Sequence, residues 1–484
     1  MKSILIATIG TRDLMFRIKS GEWFNIGDDR MQYGDILGEQ AEVISDLGHG
    51  VITFRDLTKY LLDNLETYLE YIAPTIIGRL LTEKANEIEK VYLIATDQTI
   101  EVREREKDTL YAAELLKNWI LHKFDHMNHD SVEVITLGSD GTNPANFEEM
   151  FQWWRKTWKE KIKIESSQPI WVCLKGGVGQ TSEASRISGL SLFGDRIHFF
   201  EFKQNTKANR IGTPSDYSGP FLGTNYLWDR TQQQALKLLQ RYDYAEVSDL
   251  LRPYFKSHNS NFGAVPNLLR AGIAWNQGQF ESFLSLARSS MTVPGQIEKT
   301  FWWMAYEQAY LGTIRLQQQN TTEALLHSHR AVEGALYAWA IASFPNHVTS
   351  RQNQFPDLHK SILQIHPSLR SFFDSGATTI PLKSWALEYL LNAAIVESKN
   401  STDFREFWQS AREIRNNLSH RLGGISEKEV FQAWGKDVVT SEQWQKRVLN
   451  CLNLISGKSF KNLAQASIFA QLHDSVMSKL KDYE

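Results

Sequence analysis

The chain has 484 residues, of which 42% are hydrophobic and 23% charged, and its formal net charge is −3 at pH 7. This length predicts two or three domains, and the composition excludes a largely disordered protein. The nearly balanced charge excludes a basic coat for long duplex DNA but leaves room for a small basic pocket. The two cysteines, Cys173 and Cys451, are too few for a disulfide framework or a zinc cluster, so we expect no metal site.

The first apolar run, Ile4–Ile9, is short and is followed by Gly10-Thr11-Arg12-Asp13. This pattern predicts a strand and not a signal peptide. No later stretch approaches the ~20 consecutive apolar residues that a membrane-spanning helix requires. We therefore expect a cytoplasmic protein with no membrane partner.

Residues 1–205 alternate between short apolar runs and longer amphipathic segments. The predicted strands are Ile4–Ile9, Gly50–Phe54, Val91–Ala95, Val132–Leu137, Ile170–Leu174 and Ile197–Phe202. The predicted helices between them include Leu57–Lys84, Asp108–Lys123 and Asn146–Lys161. Alternation of this kind predicts an α/β domain with a mainly parallel sheet and helices on both faces.

The pattern changes at Lys203–Asn225, which is rich in Gly, Pro and Ser and is predicted to be a linker or a loop over the first domain. The rest of the chain has an almost entirely helical pattern. Its predicted helices are Thr231–Gln240, Tyr244–Tyr254, Val265–Asn276, Phe280–Arg288, Lys299–Gln319, Thr322–Phe344 and Lys383–Lys399. We predict an α/β domain at 1–205, a linker and helical connector at 206–300, and an all-α domain at 301–484.

The sharpest motif is Arg415-Asn416-Asn417-Leu418-Ser419-His420, inside a predicted helix over Asp403–Leu422. At about 100° per residue, one face of this helix is apolar and is expected to face the core. That stripe comprises Phe404, Phe407, Trp408, Ala411, Ile414, Leu418 and Leu422.

The polar residues of the motif fall elsewhere on the predicted helix. Asn416 and His420 are one turn apart on the exposed face. Arg415 lies at the edge of the stripe, where a guanidinium needs a partner, and Glu333 is the partner we expect. Gly423-Gly424 is predicted to end the helix, which places His420 in its last turn.

Together, His420, Arg415 and Asn416 can supply proton transfer, positive charge and orientation for RNA cleavage by the 2′-hydroxyl, without a metal. The alternative is an exposed helix-end histidine and a structural ion pair, because an isolated Arg-x4-His often arises by chance. The motif resembles the Arg-x4–6-His of the HEPN superfamily of helical RNases, including the Asn after the Arg. It lies near the C-terminus after several long helices, where a domain of that superfamily would place it, and this resemblance favours the catalytic interpretation.

Small polar residues follow several predicted strands, at the edge where open parallel sheets bind ligands. Four such loops are Gly10–Asp13, Thr96–Thr99, Gly138–Asn143 and Lys175–Thr181. In the last loop, glycines allow close backbone approach to a ligand, and backbone amides precede a predicted helix at Thr181–Leu190, which favours anions. Lys175 adds a positive charge.

Two other interpretations of this glycine-rich loop remain open. It differs by one residue from the phosphate loop of partition-type ATPases, in which a Lys occupies the position of Gln180, and it follows a late strand instead of the first one. The loop could also be a purely structural turn.

The order of these parts resembles that of the CARF–HEPN ribonucleases that accompany type III CRISPR systems. The resemblance implies a Rossmann-like CARF domain followed by an all-α HEPN domain. It also implies that Arg415, Asn416 and His420 are catalytic. The residues that it implies for binding the effector are Thr11, Arg12, Gln98, Lys175, Gly176, Gly177, Gln180 and Thr181.

By this resemblance the chain is a homodimeric, metal-independent endoribonuclease that a cyclic oligoadenylate activates to cut single-stranded RNA in antiviral defence. Cyclic tetra-adenylate is the preferred activator and cyclic hexa-adenylate the alternative. A two-fold axis would also combine two copies of the motif into one site. Two other classes stay open: a toxin-like HEPN RNase regulated by another nucleotide, and a non-catalytic nucleotide-sensing relay protein.

Overall fold

The computed structural model describes residues 2–17, 21–25, 53–257, 262–350, 354–418, 420 and 422–483. The chain divides into two compact units, Met1–Trp228 and Asp229–Glu484. Residues 50–52, which begin the predicted strand Gly50–Phe54, lie outside the described residues. Phe54 itself begins a helix, whose first turn is capped by the Thr53 side chain accepting from the Asp56 amide.

The described part of the first unit contains two sheets. Its strands are β1 (Ser3–Thr8), β2 (Leu14–Arg17), β3 (Trp23–Asn25), β4 (Ile72–Pro74), β5 (Ile88–Thr96), β6 (Val132–Leu137), β7 (Ile170–Cys173), β8 (Ile197–Lys203) and β9 (Asp216–Leu222). The main sheet has the order β6-β5-β1-β7-β8-β9, and all its pairs are parallel except β8 with β9. A small antiparallel sheet has the order β3-β2-β4.

Helices cover both faces of the main sheet. They are α1 (Phe54–Asp63), α2 (Leu65–Tyr68), α3 (Gly78–Lys84), α4 (Leu110–Lys123), α5 (Phe147–Glu160), α6 (Gly179–Phe193) and α7 (Thr206–Asn209). In the central strand β1, Leu5 joins a core built with α1 and α4, whereas Ile4 and Ile6 join a core built with α5 and α6. A strand buried on both faces is expected to be apolar, and β1 is apolar from Ile4 to Ala7.

Two predictions for this unit are wrong in detail. The pattern Leu57–Lys84 is not one helix, because the chain leaves the helix after α1 and α2, pairs as β4 with β2, and re-enters a helix at α3. The stretch Lys203–Asn225 is not only linker, because it contains α7 and β9. β9 is an edge strand, where Gly and Pro are tolerated because one side of the strand needs no hydrogen bonds.

The second unit is predominantly helical. Its helices are α8 (Trp228–Gln240, entering from the first unit), α9 (Tyr244–Ser257), α10 (Val265–Asn276), α11 (Phe280–Arg288), α12 (Trp303–Gln317), α13 (Thr321–Ser343), α14 (Ser384–Ala394), α15 (Thr402–Glu406), α16 (Arg412–Leu418), α17 (Glu427–Gln432), α18 (Ser441–Ser456), α19 (Leu463–Ala466) and α20 (Ile468–Lys481). The long helices α12 and α13 pack on each other and on α18 around a large core.

The second unit also contains a small antiparallel sheet, which the sequence pattern did not predict. Its strands β10 (Val348–Thr349), β11 (Asp357–His359) and β12 (Thr379–Pro381) follow α13. Across the described parts of both units, no helix is both long enough and apolar enough to cross a membrane.

Candidate functional site

The segment that carries the Arg415–His420 motif is helical but not one regular helix. A π-helical turn at Phe407–Ala411 separates α15 from α16. The apolar side of this segment packs as expected as far as Leu418, which is partly buried against the core. The helix ends there, and Leu422 is fully exposed instead of facing the core.

His420 lies just beyond the end of α16 and not in its last turn, which corrects the prediction. Its backbone N–H donates to the Asn417 carbonyl oxygen at 3.1 Å, as in a turn. The side chain of His420 is exposed, and so is that of Asn416. The motif therefore presents an amide and an imidazole to solvent at the end of one short helix.

The guanidinium of Arg415 forms an ion pair with a residue of α13. Its Nη2 lies 3.5 Å from Oε2 of Glu333, the partner expected from the sequence. Burial raises the pKa of Glu333, and the charge of Arg415 partly offsets that rise. The side chain of Arg415 remains one-third exposed, so its other N–H groups can still reach a phosphate.

His329 lies one turn before Glu333 on α13 and is a second histidine near the motif. It is buried, its ring lies 4.9 Å from that of Phe407, and neither ring nitrogen has a hydrogen-bond partner among the described residues. Burial, with smaller effects of Arg415 and Arg412, lowers the pKa of His329 to about 3. His329 is therefore neutral near pH 7 and packs in the interior of the second unit.

A cavity of about 510 Å³ opens at the carboxyl ends of the strands of the first unit. It is lined by Ile9, Gly10, Thr11, Arg12, Asp13, Ile76, Thr96, Lys107, Thr109, Lys175, Gly176, Gly177, Val178 and Gln204. Most of these residues follow β1, β5, β7 and β8, as expected for a ligand site in a parallel sheet.

Five of the predicted effector residues line this cavity: Thr11, Arg12, Lys175, Gly176 and Gly177. The other three do not. The Gln98 side-chain amide donates to Asp108 at 3.0 Å. Thr181 is buried and donates to the Pro144 carbonyl oxygen at 3.1 Å, and Gln180 is exposed at the start of α6.

The loops after β1 and β7 form the floor of the cavity by packing backbone against backbone. The Thr8 hydroxyl donates to the Gly176 carbonyl oxygen at 2.5 Å. A Cβ on Gly176 would lie 2.3 Å from both the Thr8 carbonyl oxygen and Oδ2 of Asp13. Only glycine therefore allows this approach.

Positive charge collects around the cavity. Arg12, Lys107 and Lys175 all line it, and their side chains are at least partly exposed. The one carboxyl group in the lining, Asp13, is buried, and burial raises its pKa to about 7, although a hydrogen bond from the Gly10 amide favours the charged form. Three cations around one cavity suit a ligand with several phosphates.

Sequence reasoning missed several of these lining residues. Gln204 directly follows β8, so the carboxyl-end rule could have identified it. Lys107 and Thr109 come more than ten residues after β5 and carry no local signal. An ion-pair network fixes their loop, because Arg55 binds both Asp97 at 2.7 Å and Asp108 at 3.2 Å.

Within the described ranges, no cluster of three or more His, Cys, Asp or Glu side chains is arranged to hold a metal ion. No model of a known protein family matches the chain, and no curated protein sequence matches it. A solved structure is similar over the whole length: Enterococcus italicus Csm6 bound to cyclic hexa-2′-fluoro-hexa-dAMP. The TM-score is 0.60 at 12% sequence identity, and the match covers 99% of this chain and 100% of the Csm6 chain. This likeness confirms the predicted fold class, an α/β unit with a mainly parallel sheet followed by a predominantly helical unit.

Proposed function

We propose that this chain is an endoribonuclease of the CARF–HEPN family, activated by a cyclic oligoadenylate, that cleaves single-stranded RNA in type III CRISPR antiviral defence. The observation that carries the proposal is the end-to-end likeness to a Csm6 chain bound to a cyclic nucleotide, at 99% and 100% coverage. Residues 1–205 would be the sensor, 206–300 the connector and 301–484 the nuclease.

The catalytic centre would consist of Arg415, Asn416 and His420. In the proposed reaction the 2′-hydroxyl oxygen attacks the adjacent phosphorus, and the bond from phosphorus to the 5′-oxygen breaks. The His420 imidazolium gives its proton to the leaving 5′-oxygen, and Arg415 stabilises the added negative charge on the phosphoryl oxygens. The products are a 2′,3′-cyclic phosphate and a 5′-hydroxyl, and no step requires a metal.

A homodimer fits this chemistry. One copy of the motif offers one exposed histidine, whereas the reaction needs a base for the 2′-hydroxyl proton and an acid for the leaving oxygen. Two copies related by a two-fold axis would supply both from the two His420 side chains. The same axis suits a cyclic ligand with internal symmetry.

The cavity of the first unit would bind the activator. Its three cations, Arg12, Lys107 and Lys175, and the amides of the glycine loop suit the phosphates of an oligoadenylate ring. Resemblance to the family alone favoured cyclic tetra-adenylate. The ligand of the Csm6 neighbour is a six-nucleotide ring, which supports cyclic hexa-adenylate as the first ring to test.

The test is a titration of RNA cleavage with cyclic tri-, tetra- and hexa-adenylate on the purified chain, in EDTA. We expect one ring size to accelerate cleavage of a single-stranded oligonucleotide and to leave 2′,3′-cyclic phosphate ends. A substrate with a 2′-deoxy linkage at the cut is the control and should resist. RNase activity that responds only to another nucleotide would favour the toxin-like class. Tight ring binding without any cleavage would favour a non-catalytic relay.

A further inference from the structure

Helix α14 exposes two large aromatic side chains next to each other. Trp385 is 45% and Tyr389 is 58% exposed, and they lie one turn apart on the same face. The half-buried ring of Phe372 contacts both, with centroid distances of 4.9 Å to Trp385 and 5.2 Å to Tyr389. We call these three rings the aromatic platform.

The platform rests on a rigid base. The opposite face of α14 places Leu387 and Leu390 in the core, and Phe373, next to Phe372, is also buried. Among the described residues, no hydrogen bond uses the Trp385 indole N–H or the Tyr389 hydroxyl. Single exposed apolar side chains are common. Adjacent aromatic side chains that are exposed on a helix packed firmly against the core indicate a binding surface.

Two observations connect the platform with the helix that carries the proposed catalytic motif. Glu388 lies between its two exposed rings in sequence; partial burial raises the pKa of Glu388, and the nearby guanidinium of Arg412 partly offsets the rise. Arg412 is the first residue of α16, one turn before Arg415 and Asn416. Both α14 and α16 also pack against α13.

We propose that the aromatic platform is a stacking subsite for unpaired bases of the RNA that flank the cleaved phosphate. The inference rests on the proposed ribonuclease function and specifies which form of RNA the site selects. The faces of Trp385 and Tyr389 can stack on any base, but only on bases that are not hidden in a duplex. Such a subsite selects single strands with little preference for sequence.

Charge favours RNA as the occupant. Lys383 is exposed two residues before Trp385, and Arg412 acts electrostatically on Glu388, the carboxylate that lies between the two exposed rings in sequence. A polyanion neutralises the two cations as its bases stack.

The experiment measures binding of a 2′-O-methyl single-stranded oligonucleotide by fluorescence anisotropy, so that it does not depend on cleavage. The double variant Trp385→Ala/Tyr389→Ala should bind about tenfold or more weakly, because stacking contributes about 1–3 kcal/mol per base. Trp385→Phe and Tyr389→Phe should retain most of the affinity. Val439→Ala, which truncates another exposed apolar side chain (69% exposed), is the matched control and should bind as the wild type.

Abasic nucleotides in the oligonucleotide test the same contact without any protein variant. Abasic nucleotides should weaken binding to the wild-type chain. They should cause little further loss of affinity in the double variant, because that variant already lacks the aromatic side chains on which the bases stack. In cleavage assays the double variant should have a higher KM than the wild type, and its kcat should stay within about twofold of the wild-type value.

The outcomes separate this inference from the proposed function. The chain could bind RNA in a way that depends on Trp385 and Tyr389 and yet never cleave it. That result would support the stacking subsite and contradict the proposed ribonuclease function. Cleavage by a double variant with wild-type affinity, or full affinity for abasic RNA, would overturn the subsite alone. A double variant that loses self-association in sedimentation but binds RNA normally would assign the rings to a contact between copies, and would also overturn it.

Discussion

Arg415 contacts Glu333 across two helices, with 3.5 Å between Nη2 and Oε2, and the glutamate is only one-fifth exposed. At this distance the contact is an ion pair and not the close two-bond fork that Arg and carboxylates often form. The contact therefore restrains the guanidinium and leaves other N–H groups of Arg415 available. Under the proposed function, Glu333 would be a positioning residue and Arg415 would contact the scissile phosphate.

We predict that Glu333→Gln lowers kcat for RNA cleavage about tenfold with little change in KM. The amide keeps the size of the side chain but removes the charge that holds Arg415 in place. The unfolding free energy should change by only about 1 kcal/mol, because the pair is partly exposed. The matched control is Glu413→Gln, a glutamate on α16 itself. Equal kcat values for both variants would contradict the positioning role.

His420→Ala should reduce RNase activity about 10²–10⁴-fold, the usual contribution of a positioned proton donor. Binding of the cyclic oligoadenylate and thermal stability should not change, because the side chain is exposed beyond the end of α16. His129→Ala removes an equally exposed histidine in the first unit and should keep full activity. Cleavage at the wild-type rate by purified His420→Ala would contradict the proposal that His420 is the proton donor.

The amino-acid sequence is most informative where a pattern depends on local contacts only. The buried run of β1 and the polar loops after β1 and β7 can be identified because strand periodicity and the carboxyl-end rule require no tertiary information. The same rule predicts that the loops carrying Arg12 and Lys175 meet at one edge of the sheet, and both residues line the cavity there.

Other features depend on contacts between distant segments and could not be predicted. The apolar stripe Phe404–Leu422 fits a continuous helix as well as one broken by the π-helical turn at Phe407–Ala411, so periodicity could not locate the early end of α16. β4 has no strong strand signal and forms because β2 lies beside it. Lys107 reaches the cavity only because Arg55 anchors its loop through Asp108.

Gly176→Ala should destabilise the first unit and abolish ring binding. The new Cβ would lie 2.3 Å from the Thr8 carbonyl oxygen and 2.7 Å from the Gly10 amide nitrogen, both backbone atoms that can move only with their loop. We expect a loss of about 1–3 kcal/mol in unfolding free energy. Gly179→Ala, at the first residue of α6 with no atom within 4 Å of the added carbon, is the control and should be tolerated.

Asp13 should make the stability of the first unit depend on pH. Burial raises its pKa from the ordinary value of 3.8 to about 7, so between these pH values the folded chain holds a proton that the unfolded chain releases. The unfolding free energy should therefore fall as pH rises through this window, by up to about 4 kcal/mol, and level off above pH 7.

Asp13→Asn should flatten this dependence, because the amide cannot ionise but can still accept a hydrogen bond from the Gly10 amide. Urea unfolding read by hydrogen exchange of β1 peptides at pH 5, 6 and 7.5 would measure it. Equal slopes for the wild type and Asp13→Asn would show that the carboxyl ionises without cost in the folded state.

Lys175→Ala tests the coupling between ring binding and cleavage. The side chain is a cation that lines the cavity and is remote in sequence from the proposed catalytic motif. Its removal should weaken ring binding about fivefold to tenfold, as expected when one charge-assisted contact to a phosphate is lost. Calorimetry with cyclic hexa-adenylate and cyclic tetra-adenylate would measure the change.

If binding and cleavage are linked, the same factor must appear in the activator concentration that gives half-maximal RNase rate. A ligand shifts an equilibrium only by its difference in affinity for the two states, so weaker binding to the active state raises the concentration required. The ligand-free rate and the rate at saturating ring should stay at wild-type values, because no catalytic group is touched. Lys156→Ala, an exposed lysine on α5 outside the cavity, should leave the titration unchanged. If Lys175→Ala weakens ring binding but leaves the activation curve in place, ring binding at this cavity does not control the nuclease.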